Sequence, residues 1–382
     1  MQAIILQENL NKGLSVVSRI ISSKTTLPIL NNILISAEEG KLKLTATNLE
    51  TGINLWLPAK KEKAGKLTIP AKDLTEFVSS LPAGKIKLKK QQERLQLISR
   101  SYKAVFNGAS TVEFPKVPSL RDKVIPAKKL KKIELETGKF VKAIKHVCFS
   151  AATDETRPVL TGVRISCIGG DFQLVATDGY RLSVKTMKLR KKTDIPALII
   201  PAKALIEVAR IIGGEEGEEK EKKLKVAILE EGKQIIFSFN NIEVVARLIE
   251  GEFPDFTKII PEKGETKIII DKEDFNRAIK ASSIFARRSA NIIKLKVESS
   301  KLKVMANAPE VGKNEVELSV KFQGKETQIA FNCRFLQDFI NSYDKETFVL
   351  ELSGVLKPGL FRTEKDSSFL HIIMPVRLQE KT

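Results

Sequence analysis

An internal repeat of about 130 residues constrains this chain of 382 residues more than any other feature. Ala46, Ala176 and Ala306 stand 130 residues apart, each within a similar segment at residues 44–48, 174–178 and 304–308. A second triplet, at intervals of 131 and 130 residues, starts at Pro70, Pro201 and Phe331. Two independent triplets at one period predict three tandem copies of one structural unit.

Each copy shows the same order of predicted elements. An amphipathic helix comes first, with apolar residues at helical spacing: Leu10, Leu14, Val17 and Ile21; Phe140, Ile144 and Val147; Phe275, Ala278, Ile279 and Ser282. Alternating strands follow, such as residues 41–46 and 293–297. A second helix opens at or just after Pro70 or Pro201. More strands complete the copy, for example residues 85–89 and 348–352.

This pattern predicts an α+β fold in which two helices per copy cover antiparallel sheets that bury one face. Each copy ends near a proline segment, at residues 113–115, 252–254 and 374–375. The predicted domains are therefore residues 1–123, 124–260 and 261–382. Three such copies form an elongated arc unless something closes it.

The net charge of +19 has two interpretations. A basic surface attracts phosphate polymers. Alternatively, biased coding has enriched the chain in lysine, which makes up 49 of the 65 basic residues. The three predicted domains carry net charges of +10, +5 and +4, so no single basic tail explains the total. This distribution favours contacts spread along the chain.

The polar faces of the predicted helices carry the cations that we expect to face a phosphate polymer. His146 is counted on the same polar face as its lysine neighbours, and acidic residues such as Glu207 and Asp274 lie among the cations. These candidate DNA-binding residues are Lys12, Arg19, Lys72, Lys139, Lys142, Lys145, Lys203, Arg210, Arg277 and Lys280.

The sequence lacks the motifs of several chemistries. It contains neither a phosphate-binding loop nor a dinucleotide fingerprint. Its few histidines and cysteines have no metal-ligand spacing, so no metal, cofactor or catalytic residue is expected. Asp154 and Asp178 could suggest acid–base catalysis, but their contexts predict a loop and a turn. No apolar run reaches membrane-spanning length and no signal peptide is visible, so we expect no membrane partner and a cytoplasmic location.

Several motifs in register resemble one family along essentially the whole chain. They are residues 26–32 (Thr-Leu-Pro-Ile-Leu-Asn-Asn), 157–162 (Arg-Pro-Val-Leu-Thr-Gly), 176–183 (Ala-Thr-Asp-Gly-Tyr-Arg-Leu-Ser), 253–256 (Phe-Pro-Asp-Phe) and 374–378 (Met-Pro-Val-Arg-Leu). Together they resemble the bacterial sliding clamps, the beta subunits of DNA polymerase III.

The resemblance implies a non-enzymatic processivity factor with the DNA clamp fold. Two protomers would form a head-to-tail homodimer, a closed ring of six domains with twelve helices lining the hole. The ring would encircle double-stranded DNA and tether the replicative polymerase. The interface would join Ile284 and Phe285 to a strand near Ala104 and Phe106.

The resemblance also implies further site residues. Lys24 and the loop at residues 153–157, where Arg157 is the cation, would face DNA. A groove would bind short peptide motifs of polymerases, the clamp loader and repair polymerases. Tyr180 stands where the family often has histidine, Lys258 replaces a frequent arginine, and residues 379–382 extend beyond the usual end. The groove residues would be Leu160, Thr177, Gly179, Tyr180, Arg181, Leu182, Pro254, Lys258, Ile259, Val355, Ile373, Met374, Pro375, Val376, Arg377 and Leu378.

Two other functions compete with the ring. One is a linear basic protein that coats DNA or RNA without closure. The other is a three-domain carbohydrate-processing enzyme that uses Asp154 or Asp178. Much of the excess charge lies outside the predicted lining helices, at residues 60–61, 85–90 and 128–132. We therefore expect the outside of the protein to attract DNA as well.

Overall fold

A computed structural model describes residues 1–21, 27–38, 40–122, 130–214, 223–229, 233–261, 264–364 and 366–377. Its α-helices are α1 (Gln7–Val17), α2 (Ala71–Ser80), α3 (Thr137–Val147), α4 (Ala202–Gly213), α5 (Lys272–Ala286) and α6 (Cys333–Ser342). No helix within these ranges is long and apolar enough to span a membrane.

The strands fall into three successive groups that follow the repeat. The first group is β1 (Gln2–Leu6), β2 (Asn32–Glu38), β3 (Lys41–Thr47), β4 (Thr51–Pro58), β5 (Lys60–Lys63), β6 (Gly65–Pro70), β7 (Lys85–Gln91), β8 (Arg94–Ser99) and β9 (Tyr102–Asn107). The second is β10 (Leu130–Glu136), β11 (Gly162–Ile168), β12 (Asp171–Thr177), β13 (Arg181–Lys188), β14 (Ile195–Pro201), β15 (Lys223–Leu229), β16 (Gln234–Phe239) and β17 (Ile242–Arg247). The third is β18 (Thr266–Asp271), β19 (Ile292–Glu298), β20 (Lys301–Ala308), β21 (Gly312–Ser319), β22 (Lys321–Gln323), β23 (Thr327–Asn332), β24 (Thr347–Leu352), β25 (Gly359–Arg362) and β26 (Phe369–Ile373).

The chain divides into two compact units. One comprises residues 1–138 and 207–248, and the other residues 139–206 and 249–382. The first unit holds a five-stranded sheet, β5-β1-β7-β8-β9, and an eight-stranded sheet, β10-β15-β16-β17-β4-β3-β2-β6. The second holds a nine-stranded sheet, β14-β11-β12-β13-β26-β25-β24-β18-β22, and a four-stranded sheet, β21-β20-β19-β23. The three-part boundaries of the sequence analysis remain a prediction.

Two of these sheets join strands from neighbouring copies of the repeat. β17 pairs antiparallel with β4, with Ile242 opposite Leu55, and we name this pairing the first junction. β13 pairs antiparallel with β26, with Arg181 opposite Ile373, and we name it the second junction. Backbone hydrogen bonds therefore connect neighbouring copies twice within one chain.

The predicted repeat is confirmed at its alanine triplet. Ala46, Ala176 and Ala306 lie in β3, β12 and β20, and all three are buried. Each of these strands pairs on both sides with its sequence neighbours. The apolar stripes of the first helices are buried as predicted, except that Ile21 lies beyond the end of its helix.

The second triplet differs by one residue in the third copy. Pro70 and Pro201 directly precede α2 and α4, whereas Phe331 is a fully buried strand residue. Asn332 precedes α6, and its side chain accepts a hydrogen bond from the Arg334 amide at 2.9 Å. Asparagine satisfies a free amide at a helix start, which proline cannot do, so the cap moves to this residue. The segments at residues 113–115, 252–254 and 374–375, with which the copies were predicted to end, lie outside the strands.

Candidate functional site

The second junction brings together two segments that are far apart in the sequence. Leu182 lies opposite Ile372, and Arg181 lies opposite Ile373. One residue beyond β26, the Met374 amide donates to the Tyr180 carbonyl at 2.8 Å. The predicted groove residues of both segments therefore lie side by side at the end of this pairing.

A tight turn at residues 177–181 presents Tyr180. The Thr177 hydroxyl donates to the Arg181 carbonyl at 2.7 Å and accepts from the Gly179 amide at 3.0 Å. The Asp178 carboxylate accepts from the Tyr180 and Arg181 amides at 2.9 and 3.0 Å. Gly179 has a φ of 92°, which favours glycine. The turn is fixed by its own side chains, and the Tyr180 side chain is 62% exposed.

The Arg181 guanidinium supports this turn from within. Its Nε lies 3.0 Å from Asp178 Oδ2 and its Nη1 lies 2.5 Å from Asp338 Oδ2. The guanidinium carbon also lies 4.7 Å from the Phe335 ring centroid, within the range of a cation–π contact. Because the side chain is only 10% exposed, Arg181 positions the turn, and its contact with a peptide remains a prediction.

An apolar cluster contains residues from both strands of the second junction, including Leu182 directly after the turn. Among the other apolar groove residues that were predicted, Leu160 is buried, whereas Ile259, Val355 and Met374 are exposed by 42%, 50% and 38%. The segment at residues 253–260 contributes one buried ring and two partly buried side chains to the cluster. The cluster comprises Val175, Leu182, Val184, Phe256, Leu360 and Ile372, with Phe253, Ile260 and Leu370 packed against it.

Most of the other predicted groove residues within the described ranges are exposed or half-buried. Lys258 is exposed and pairs with Asp255 at 3.3 Å. Pro254 and Arg377 are exposed, and Pro375 and Val376 are half-buried. Val355 lies in the turn between β24 and β25, and its place in the groove remains a prediction. Leu378 and residues 379–382 lie outside the described residues.

A buried histidine beneath the second junction was not predicted. His371 Nδ1 lies 2.8 Å from Ser183 Oγ, which lies 2.7 Å from Ser150 Oγ. His371 Nε2 is buried without a hydrogen-bond partner among the described residues. Burial, assisted by Arg181, lowers the pKa of His371 to about 3, so the ring is neutral at physiological pH. The only sequence signal is a histidine within the apolar run at residues 369–374.

The predicted DNA-binding cations within the described ranges are exposed. At least four of them pair with carboxylates, among them Lys142 with Asp344 at 3.3 Å, Lys203 with Glu155 at 3.5 Å and Arg210 with Glu207 at 2.5 Å. Arg277 pairs with Asp274. Exposed pairs contribute only about 0–1 kcal/mol, so these cations can exchange partners. The exposed set is Lys12, Arg19, Lys72, Lys139, Lys142, Lys145, Arg157, Lys203, Arg210, Arg277 and Lys280. Lys24 lies outside the described residues.

Placing His146 on this cationic face is wrong. The residue is 6% exposed, and its ring centroid lies 4.6 Å from that of Phe369. Its Nε2 lies 3.5 Å from Asp344 Oδ1. Burial nevertheless lowers the pKa of His146 to about 4. The ring is therefore neutral at pH 7 and does not supply a cation.

The two aspartates of the enzyme alternative hold turns. The Asp154 carboxylate accepts from the Thr156 amide and hydroxyl at 2.9 and 2.6 Å, and these bonds lower the pKa of Asp154. A general acid needs a raised pKa instead. Asp178 is engaged in the turn below Tyr180. Within the described ranges, no group of three or more His, Cys, Asp or Glu side chains is placed to hold a metal ion.

The predicted interface residues lie on two surfaces. β9 is the last strand of the five-stranded sheet, so one of its edges is open among the described strands. Ala104 and Phe106 are half-buried there, and the Phe106 ring packs edge-on against Phe77 at 5.6 Å. On α5, Ile284 is 56% exposed, while Phe285 is half-buried against the core of its own copy.

Three successive segments match family descriptions of one protein. Residues 1–118, 134–255 and 257–377 match the N-terminal, central and C-terminal domains of the DNA polymerase III beta subunit. The beta sliding clamp of Staphylococcus epidermidis is 30% identical over 372 residues, which cover 94% of each chain. That of Bacillus subtilis is 28% identical over 395 residues, 99% of this chain and all of that one.

Solved structures agree with these matches. The crystal structure of the Bacillus subtilis sliding clamp has a TM-score of 0.91 at 26% identity, and covers 99% of this chain and all of that one. A sliding clamp from Bartonella birtlesii bound to griselimycin has a TM-score of 0.89 at 28% identity with the same coverage. The fold and the order of its three α+β domains are thus shared along the whole chain.

Proposed function

Because the chain belongs to the family of bacterial DNA polymerase III beta subunits, the sliding clamps, we propose that two copies close head to tail into a ring around duplex DNA. The ring holds the replicative polymerase on its template. The match of all three domains, in order, carries this proposal. The proposed domains, residues 1–123, 124–260 and 261–382, enclose the matched segments except at residues 257–260.

The exposed cations of the helices support the contact with DNA. Phosphate contacts position a protein without reading sequence, as a sliding ring requires. Lysines on long flexible side chains suit such contacts better than arginines in fixed bidentate pairs. The weak exposed pairs on α3, α4 and α5 leave these cations free to exchange between carboxylate and phosphate.

The open edge of β9 and the exposed Ile284 support the dimer. An unpaired strand edge beside apolar side chains favours pairing with another chain. We propose that Ala104 and Phe106 of one protomer meet Ile284 and Phe285 of the other. Two equal interfaces of this head-to-tail kind close the ring.

The exposed apolar residues at the second junction support a docking role. Tyr180 and Met374 lie beside one another above a buried apolar cluster, an arrangement typical of a peptide site. We propose that polymerases, the clamp loader and repair polymerases dock here through short motifs. The sliding clamp of Bartonella birtlesii is bound to griselimycin, which supports a ligand-binding role in the family. The role is binding without a reaction, and the proposed location is the cytoplasm.

Retention on circular DNA tests this function. A clamp loaded by its loader onto a nicked circle should stay bound at high salt and leave when the circle is cut. Ile284→Asp places a charge in the proposed interface and should abolish retention while the protomer stays folded. Equal loss from circular and linear DNA would contradict the ring and favour a linear coating protein.

A further inference from the structure

We propose that one face of the five-stranded sheet is a second, sequence-indifferent binding surface for the phosphate backbone of duplex DNA, outside the proposed ring lining. The choice of DNA as ligand rests on the proposed function, whereas the surface itself is defined by the charge and position of its own residues. We name it the outer basic face. Its cations are Lys60, Lys63, Lys85, Lys87, Lys89, Arg94 and Lys103.

Strand alternation places these cations on one side of the sheet. On β7, Ile86 and Leu88 are almost fully buried, so Lys85, Lys87 and Lys89 point to the opposite face. The same face of the neighbouring strand β1 carries Leu6, Ile4 and Gln2, which are exposed or half-buried.

Strand pairing extends this array across the sheet. Ile4 lies opposite Lys60 on β5 and opposite Lys87 on β7. Ile98 on β8 then lies between Lys87 and Lys103. Cations thus recur roughly every 10 Å across the strands and roughly every 7 Å along β7, which gives a grid of positive charge.

Few carboxylates neutralise this grid. Glu62 pairs with Lys87 at 3.5 Å and accepts a hydrogen bond from Gln2. Within the described part of the chain, the other six cations of the face form no ion pair. Seven cations therefore face one carboxylate.

The corresponding faces of the other two copies carry carboxylates beside their cations. β10 and β15 occupy the same place in the second copy, and there Glu134 and Glu136 lie opposite Lys225 and Lys223. Lys223 also pairs with Glu134 at 3.2 Å. The excess charge is thus a property of the first copy and not of lysine enrichment alone.

The third copy also places a carboxylate among its cations. Lys267 on β18 lies opposite Glu351 on β24, and the Glu351 carboxylate accepts a hydrogen bond from Arg362. One carboxylate there lies beside two cations. Among the described residues, the excess of cations over carboxylates is therefore largest in the first copy.

The chemistry of the outer basic face favours duplex DNA over other polyanions. Its described side chains include no aromatic ring, so it lacks the stacking platform that binds exposed bases. Lysines at intervals of about 7 Å along a strand match a regular line of phosphates, and neutralising several phosphates releases counterions. Such a surface binds without sequence preference.

Covalently closed circular duplex DNA without the clamp loader isolates this surface, because a closed circle cannot enter a closed ring. The variant K85Q/K87Q/K89Q should bind the circle about 10- to 100-fold more weakly at low salt than the natural protein does. A plot of the logarithm of its binding constant against the logarithm of the salt concentration should have a slope that is smaller in magnitude by about 2–3. The control variant K188Q/K191Q/K192Q removes three exposed lysines that belong to neither proposed DNA surface, and it should bind the circle as the natural protein does.

Three outcomes would overturn the proposal: unchanged affinity of K85Q/K87Q/K89Q, an equal loss in K188Q/K191Q/K192Q, or lysine-dependent binding that is tighter to phosphatidylglycerol vesicles or to single-stranded RNA than to the duplex circle. Because no loader is present, these outcomes are independent of retention on loaded circles. The proposal of an outer basic face and the proposal of a sliding ring can therefore be disproved independently of one another.

Discussion

The two junctions share one turn but differ in the exposed side chains that the turn and its neighbouring strand present. In the first copy, the Thr47 hydroxyl donates to the Thr51 carbonyl at 3.0 Å and accepts from the Leu49 amide at 3.0 Å. Asn48 accepts from the two amides that follow, at 3.1 and 2.7 Å. These four bonds match those at residues 177–181 one by one. The repeat therefore supplies the same backbone twice.

Above this backbone, the exposed residues are opposite in character. At the first junction, the Arg247 amide donates to the Glu50 carbonyl at 2.8 Å, as the Met374 amide does to Tyr180. Glu50 and Arg247 are charged, whereas Tyr180 and Met374 are largely apolar. At this pair of positions, the second junction therefore offers an apolar peptide a surface to cover, and the first presents charges.

The buried pairs of the two junctions also differ. Ile53 lies opposite Val244 in the first junction, where the second places Ser183 opposite His371. One position along, the first junction places buried Asn54 opposite buried Glu243, where the second places Val184 opposite Leu370. Each junction therefore buries a polar pair, but the two pairs lie on opposite faces of the shared backbone, because successive strand residues alternate between faces. The second junction therefore differs from the first as a binding groove through its side chains alone, because the backbone of the turn is the same in both.

Grafting the exposed pair of the first junction onto the second gives the largest expected effect. Tyr180→Glu with Met374→Arg should weaken binding of a hydrophobic clamp-binding peptide roughly 100-fold, because aromatic anchors dominate such sites. Fluorescence anisotropy with a labelled peptide measures this. Glu50→Tyr, the matched change at the first turn, should leave the affinity unaltered. An unaffected affinity in the double variant would show that the groove lies elsewhere.

The buried network should make the second junction sensitive to acid. The pKa of His371 is lowered to about 3 in the folded state and is about 6.5 when unfolded. Below pH 6.5 the unfolded chain therefore binds a proton that the folded chain does not. Stability should fall as the pH falls, by about 1.4 kcal/mol per pH unit for this group.

His371→Asn keeps a polar atom near the Ser183 hydroxyl and removes the titration. Urea unfolding at pH 7.0, 5.5 and 4.5 should show a flatter pH dependence for this variant than for the natural protein. His146 and the carboxylates titrate in both proteins and cancel in the difference. Parallel curves would contradict a neutral buried His371.

The smallest effect concerns the third residue of each turn. Leu49 adopts a φ of 76° and Gly179 a φ of 92°, and a residue with a Cβ is strained there by about 1–2 kcal/mol. Leu49 is 52% exposed, so Leu49→Gly loses little packing. It should stabilise the protein by roughly 0.5 kcal/mol after the entropy of glycine is counted. Gly179→Ala should act in the opposite direction, and chemical denaturation compares the two.

The sequence predicted those features that depend on local pattern. The apolar spacing of Leu10 and Leu14 identified α1, and the alternation at residues 85–89 placed Lys85, Lys87 and Lys89 on one face. The groove segments were found through their resemblance to a family. Pattern was sufficient here because each signal lies within a single element.

Features that depend on distant partners were not predictable. Asp338, which holds Arg181, lies 157 residues further along the chain. His146 is buried because Phe369 and Asp344 come from the last third of the sequence. The alternation of apolar and polar residues likewise shows which face of a strand carries a lysine. It does not show whether a glutamate lies opposite that lysine on the neighbouring strand, as Glu134 lies opposite Lys225. Such pairings are set by strand register, which no single segment specifies.

The junction strands also determine when the protein can complete its fold during synthesis. β4 is made early, but its partner β17 follows nearly 190 residues later, and β13 waits about as long for β26. At about 5–20 residues per second, each edge stays unpaired for roughly 10–40 s. Long-range pairing of this kind folds slowly, so a ribosome pause between these strands lengthens the time in which a nascent chain can aggregate.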